Sequence, residues 1–325
     1  MFLAASTAAT LASERWSVLI TRPNLNAYDD QIQQQAFDRI KARTGGELDI
    51  STAPVGSLPI KETDWVRALQ AGDLSMSVIV GDWHASDFPL IGLLQTPFLF
   101  RDEVEKRTAI AAGFPILQRE ANRLNLHILA VRPFPEIGFW ATEPIADLTD
   151  FGGRSIRAQA KLYSDIVEAA NGLPVPVAFA EAYTALQRGL VKGIFTGYGS
   201  ITGSKLHEVA PYGYSIGLNN QIYLLAVNLD KWNALPAETR AIVMEELGLA
   251  MQIIQAWMPR SHQVEIDAQM AGGLRSFEWE VSDAWFQLMS DRIVKPTLES
   301  ELARSGAAGI EMLDAIEAAL GRSLR

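Results

Sequence analysis

The 325-residue chain contains no cysteine, which removes disulfides, thiolate nucleophiles and cysteine-based zinc sites at once. That absence is compatible with an oxidising compartment without proving one. Histidine is scarce as well. The four present, at 84, 127, 207 and 262, show neither His-Glu-x-x-His nor His-x-His spacing. Asp82-x-His84-x-x-Asp87 is a short cluster of the kind usually solvated in a loop, so no metal and no other cofactor is expected. No phosphate-binding glycine loop occurs, and Gly197-Tyr198-Gly199-Ser200 matches neither a nucleophile elbow nor a dinucleotide fingerprint. No catalytic residue is assigned on this basis. No run of about 18 apolar residues is present, so membrane insertion is not expected. Excess positive charge is also lacking. A net charge of −10 argues against nucleic acid or an anionic membrane as a partner. An acidic protein can still hold an anion through one local cation. With 48% apolar and 20% charged residues, the composition is that of a soluble globular protein, and the length suits two domains.

The stretch Asp150–Gly203 organises what is there. Gly152-Gly153 makes a turn, and Ser155 to Ala158 reads as a short strand. Lys161 to Asn171 reads as a helix closed by Asn171-Gly172. Val175-Pro176-Val177 is extended, because Pro174 and Pro176 exclude a helix. Glu181 to Arg188 is a second helix capped by Gly189, and Gly193 to Thr196 another strand. Strand–helix–strand–helix–strand is the form that builds a parallel sheet with ligands at its strand ends, and Arg157 sits at such an end.

The N-terminal part repeats this order without a convincing sequence repeat. Trp16 to Thr21 reads as a buried strand, Asp29 to Arg43 as a helix stopped by Gly45-Gly46, Glu47 to Thr52 as a strand, Ile60 to Ala71 as a helix with Gly72 as C-cap, and Leu74 to Val80 as a strand. Gly81 to Asp87 then reads as a loop carrying Trp83 and a ligand-facing His84. Glu103 to Asn125 is helical, broken by Gly113-Phe114-Pro115. Leu126 to Val131 and Gly138 to Thr142 are extended. Pro236 and Glu238 open a helix that persists to about Met270 and should kink at Pro259. Phe277 to Val281 is a strand, followed by helices at about Ser282 to Ser305 and Gly309 to Leu320. The first 13 residues resemble the tail of a secretory signal, with cleavage after Ala12, although a basic n-region is absent.

A family resemblance rests on these segments. Gly152-Gly153-x-x-Ile156-Arg157, followed by Pro176-Val177-x-Phe179-x-Glu181-Ala182-Tyr183-x-Ala185-Leu186-Gln187-x-Gly189-x-Val191-x-Gly193, resembles the DctP-type solute-binding proteins of TRAP (tripartite ATP-independent periplasmic) transporters. Thr44-Gly45-Gly46, Gln95-Thr96-Pro97-Phe98-Leu99-Phe100 and Val227-Asn228-Leu229-Asp230-Lys231-Trp232 with Leu235-Pro236 extend the match over nearly the whole chain. The resemblance implies an α/β fold: a two-lobed periplasmic binding protein, a type II-like clamshell, with a long helix bracing both lobes. The lobes are expected at 14–134 plus 222–258 and at 135–221 plus 259–325, with hinge closure between them.

The resemblance also implies a site. The Arg of the Ile-Arg element pairs with the ligand carboxylate in the family, and Arg157 matches it; a guanidinium holds a carboxylate through two parallel hydrogen bonds and keeps its proton. Family members often carry a second Arg where this chain has Trp140, and polar contacts where it has Trp83. That departure favours a monocarboxylate with an apolar or aromatic body over a dicarboxylate or sugar acid. Phe179 matches a position that packs on the ligand. Thr196 stands where many members have Asn. Gln159, Asn219, Tyr198 and Tyr28 are further candidates by loop position. For the aromatic candidates, a plain core role remains open.

The expected function is therefore periplasmic capture of a small organic acid for TRAP membrane permease subunits, with no turnover. A periplasmic receptor serving a sensor kinase and a small α/β hydrolase are the alternatives.

Overall fold

The computed structural model describes residues 14–20, 28–54, 57–133, 137–158, 161–218 and 222–325. Its strands are β1 (Glu14–Ile20), β2 (Leu48–Pro54), β3 (Met76–Val80), β4 (Leu126–Pro133), β5 (Ile137–Ala141), β6 (Ser155–Arg157), β7 (Leu173–Val175), β8 (Gly193–Gly197), β9 (Tyr212–Ser215), β10 (Ile222–Asn228) and β11 (Ser276–Glu278). They form a five-stranded sheet of order β2-β1-β3-β10-β4 and a six-stranded sheet of order β11-β9-β5-β8-β6-β7. The chain divides into two compact units. The first comprises Met1–Trp83, Ala121–Arg132 and Tyr223–Ile254; the second comprises His84–Glu120, Pro133–Ile222 and Gln255–Arg325.

In the first unit β1 runs parallel to β2 and β3, and β10 lies antiparallel beside β3. Every residue of β3 is buried, as a strand covered on both faces requires. The connecting helix Tyr28–Arg43 carries Asp29 and Asp30 in its first turn and Lys41 and Arg43 in its last, matching the helix dipole at both ends. Ile32, Ala36, Phe37 and Ile40 form its buried stripe. Gly45 and Gly46, with φ of 61° and 85°, turn the chain back into β2. Helix Trp65–Ala71 ends on Gly72, whose left-handed backbone lets its N–H reach Leu69 O.

The second unit repeats the plan. β6 is parallel to β7 and β8, and β5 lies antiparallel beside β8. Helix Lys161–Ala169 joins β6 to β7, and helix Ala182–Gln187 joins β7 to β8. Asn171, Gly152, Gly153 and Gly189 all have positive φ, at the turns where the sequence places them. The strand–helix–strand–helix–strand order read from the sequence thus holds in both units, each with an antiparallel strand beside the third member.

The structure differs from the sequence reading in several places. Gly81–His84 is a helical turn rather than a loop, and His84 is fully buried instead of facing a ligand. Helix Glu103–Arg123 runs unbroken through Pro115. At Gly113 an added Cβ would lie 3.0 Å from Met312 and 3.5 Å from Ile316, so this helix is held by close packing on the C-terminal helix. Two short helices, Pro89–Leu94 and Tyr198–Gly203, were not anticipated. Residues 84–120 group with the second unit rather than with the expected first lobe. Close packing again accounts for this: an added Cβ at Gly92 would collide with Glu301 of helix Lys295–Leu320. Gly306 (φ 57°, ψ −142°) kinks that last helix where the sequence reading placed a break.

Candidate functional site

The turn at Gly152-Gly153 feeds β6, and β6 ends on Arg157. In register, Arg157 lies beside Val175 of β7 and Ile194 of β8. The chain after β7 runs on to Val177, whose carbonyl accepts a hydrogen bond from Arg157 Nε at 2.8 Å. That bond fixes the plane of the guanidinium. Phe179 follows in the 3-10 turn Phe179–Glu181, and its ring centroid lies 5.5 Å from the guanidinium carbon. Arg157 is 6% exposed, whereas Phe179 is 40% exposed, so a buried cation sits beneath an accessible ring. Burial pushes the Arg157 guanidinium down from its usual range, and the neighbouring Tyr163 phenol acts in the opposite direction. An arginine starts so far above neutrality that it remains a cation.

Tyr163 was not singled out in the sequence. It enters from the first turn of helix Lys161–Ala169, and its ring stacks on Phe195 at 5.3 Å and 14°. Phe195 packs on Phe139, and Phe139 on Phe151, with centroids 4.9 and 5.0 Å apart. This ladder fixes the half-buried Tyr163 near Arg157. Its sequence signal was its position just after the strand that carries the arginine.

Thr196 is on β8, the strand paired with β6, and is 8% exposed. Trp140 is not at an open surface: its indole is fully buried in the core of the second unit. Its Nε1 donates to Thr196 O at 3.1 Å, and Tyr198 and Phe277 pack at 5.7 and 5.6 Å. Gly213 makes the slot, since a Cβ there would stand 2.6 Å from the indole. Tyr198 opens a helix rather than a loop, and it too is fully buried, stacked on His262 at 4.8 Å and 13°. Both residues expected to enclose or touch a ligand are therefore core members. Trp83 belongs to the first unit, half-buried with its ring edge-on to Trp65 at 5.8 Å. Tyr28, 40% exposed, is the first residue of helix Tyr28–Arg43 in the same unit. Gln159 and Asn219 lie outside the described residues. The structure thus brings Arg157 and Phe179 into contact and puts Thr196 on the adjacent strand.

A second buried cation was missed by the sequence reading. Arg132, near the end of β4, is 2% exposed, and its Nη2 lies 2.6 Å from Asp29 Oδ2 and 2.5 Å from Asp30 Oδ1. Residues about a hundred positions apart make this ion pair, so no local motif marks it. Among the described residues no group of three His, Asp or Glu side chains is placed to hold a metal ion.

Two α/β units, each a parallel sheet with an antiparallel strand added, define the two-lobed clamshell class of binding proteins. The chain belongs to the bacterial extracellular solute-binding protein family 7, the DctP family of TRAP solute-binding proteins, whose family model matches residues 31–291. The C4-dicarboxylate-binding periplasmic protein DctP of Rhodobacter capsulatus is 24% identical over 292 residues, covering 85% of this chain and 82% of that protein. Two solved structures share the fold. One is a TRAP periplasmic solute-binding protein from Ochrobactrum anthropi, with a TM-score of 0.81 and 19% identity, covering 96% of this chain and 97% of that one. The other is DctP7, an extracytoplasmic solute receptor of Bordetella pertussis that binds pyroglutamic acid. Its TM-score is 0.74 at 22% identity, covering 94% of this chain and 100% of that one.

Proposed function

We propose that this protein is a periplasmic receptor that captures an organic monocarboxylate and passes it, chemically unchanged, to TRAP membrane permease subunits. Arg157 anchors the carboxylate, and Phe179 packs on the ligand's body. The observation that carries the reading is the buried Arg157 guanidinium, fixed through Nε on Val177 O at the end of β6 beneath the accessible Phe179 ring. A cation held this way is preorganised for two parallel bonds to a carboxylate. Thr196, on the adjacent strand, is a candidate hydrogen-bonding partner. Membership of a solute-binding family supports capture without turnover. The pyroglutamate named for DctP7 is itself a monocarboxylate with an uncharged body. No helix among the described residues is long and apolar enough to cross a membrane, which fits a permease supplied by other chains.

A thermal-shift screen against aromatic, branched aliphatic, dicarboxylic and sugar acids tests the proposal. A ligand at about a hundred times its dissociation constant stabilises by about 2.7 kcal/mol, which is readable as several degrees. The expected result is a cluster of monocarboxylate hits. A clear preference for C4-dicarboxylates or sugar acids would overturn the ligand class. A flat screen on protein that native mass spectrometry finds empty would overturn acid capture itself.

A further inference from the structure

Within the second unit, the carboxyl ends of the parallel strands β6, β7 and β8 surround Arg157. β6 ends on Arg157 itself, the chain beyond β7 leads through Val177 to Phe179, and β8 carries Ile194, Phe195 and Thr196. Such strand ends are where α/β sheets take ligands. Successive residues of a strand face opposite sides of the sheet, which sorts what surrounds this end. Phe139 and Phe195 are opposite each other in register and lie on one face; Trp140 and Ile194 are likewise opposite and lie on the other. The Trp140 face packs with Ala182, Ala185 and Leu186 of helix Ala182–Gln187, and Phe179 belongs to the turn that leads into that helix. The Phe139 face meets helix Lys161–Ala169, where Tyr163 stacks on Phe195 at 5.3 Å and 14°. An aromatic ring and a phenol therefore reach the end of β6 from opposite sides of the sheet.

Both are held in place. The Phe179 ring lies 5.5 Å from the guanidinium carbon. Tyr163 rests on Phe195, which is fixed in turn by Phe139 and Phe151. A side chain locked by packing in this way presents its polar group in a defined place. The Tyr163 phenol is near enough to act on the charge of Arg157. A carboxylate has more acceptor capacity than one arginine fills: its two oxygens offer about four lone-pair sites, and a bidentate guanidinium takes two. Once the acid leaves water, the remaining sites need donors. A phenol O–H is a donor that brings no charge. Arg157 and Tyr163 together thus supply several donors but a single positive charge, which balances one carboxylate and not two.

We propose that Tyr163 is a second ligand-binding residue of the acid site, its phenol donating a hydrogen bond to the carboxylate that Arg157 anchors. The pair sets the orientation of the acid and its preference for a single carboxylate. The inference rests on the reading of Arg157 as the anchor of a captured acid.

The test is calorimetric titration of pyroglutamate, benzoate, phenylacetate and isovalerate into the unmodified protein, Tyr163→Phe and Tyr163→Leu. Tyr163→Phe keeps the ring on Phe195 and removes only the hydroxyl. Hydrogen bonds to charged groups are among the stronger ones, so every acid that binds the unmodified protein should bind Tyr163→Phe at least about tenfold more weakly. The unliganded melting temperature should stay within about two degrees. Equal affinity in the two proteins would overturn the role of the phenol and leave Arg157 as anchor standing. A loss confined to Tyr163→Leu would overturn it too, since the ring would then act only as a spacer on Phe195. The Arg157→Lys background supplies a second reading. If both residues hold one carboxylate, Tyr163→Phe should cost clearly less affinity there than in the unmodified protein. Additive costs would overturn the shared carboxylate, placing the phenol on another part of the acid. Failure of every acid to bind protein that native mass spectrometry finds empty would overturn acid capture itself, and this inference with it.

Discussion

Arg132 in the first unit and Arg157 in the second occupy comparable places. Each lies at or near the end of a strand, each is almost wholly buried, and each belongs to a unit built on the same strand–helix–strand–helix–strand plan. Their partners differ. Arg132 is clamped by two carboxylates at 2.6 and 2.5 Å, while Arg157 gives its Nε to a backbone carbonyl and lies beneath an accessible ring. A cation shared by two buried carboxylates has its charge answered inside the protein. A cation set by a neutral carbonyl and an aromatic face is positioned without being neutralised by those contacts. The first arrangement is suited to holding the fold, and the second is the one proposed above as the carboxylate anchor, although burial alone would not tell them apart.

Substitution should separate the two arginines. The largest effect is expected from Arg132→Met, which leaves two buried carboxylates without their shared cation. Breaking a buried pair in this way costs about 3–5 kcal/mol, read as a lower midpoint in urea unfolding. Unchanged stability would show that the pair is not structural. Arg157→Ala should do the reverse. Losing one partner of a buried charge pair costs roughly 2–5 kcal/mol of binding, so affinity for the captured acid should fall at least about thirtyfold. Its unfolding midpoint should move by much less than that of Arg132→Met.

A third prediction sharpens the contrast from within the second unit. Burial, and then the charge of Lys106, push the His262 imidazole down to about 4 from 6.5. The unfolded chain therefore binds a proton that the folded one refuses between those values. Stability from this group is present above pH 6.5 and is lost as pH falls toward 4, by up to about 1.4 kcal/mol per pH unit. His262→Gln should melt with a shallower pH dependence across that window, and an identical slope would exclude the histidine as its source. The smallest effect is expected at Phe179. A cation–π contact at an accessible ring is worth about 0.5–1 kcal/mol, so Phe179→Ala should weaken acid binding by about two- to fivefold. A loss as large as that of Arg157→Ala would make the ring, rather than the guanidinium, the main anchor.

Much of the fold was legible because its signals are local. Gly45-Gly46, Gly72, Gly152-Gly153 and Gly189 adopt the positive φ that ends helices or turns chains, and short apolar runs between them became strands. The place of Arg157 at the end of its strand was legible for the same reason, whereas its role as an anchor came from the family resemblance. The burial of Trp140 was not legible because it depends on Gly213, on Phe277 and on Tyr198, residues from three distant segments. The Arg132 ion pair joins positions 29 and 30 to 132 and left no trace in either segment alone. Pro115 was read as a break because proline forfeits a helix hydrogen bond, yet it lies within a continuous helix. Close packing around Gly113 accounts for the outcome.

The account stands most directly on one titration. The strongest monocarboxylate found in the screen is titrated calorimetrically into the unmodified protein and into Arg157→Ala, at pH 7 and equal ionic strength. The prediction is saturable one-site binding to the first and at least about a thirtyfold loss in the second, with both proteins folded. Equal affinity in the two would contradict the assignment of Arg157 as the carboxylate anchor.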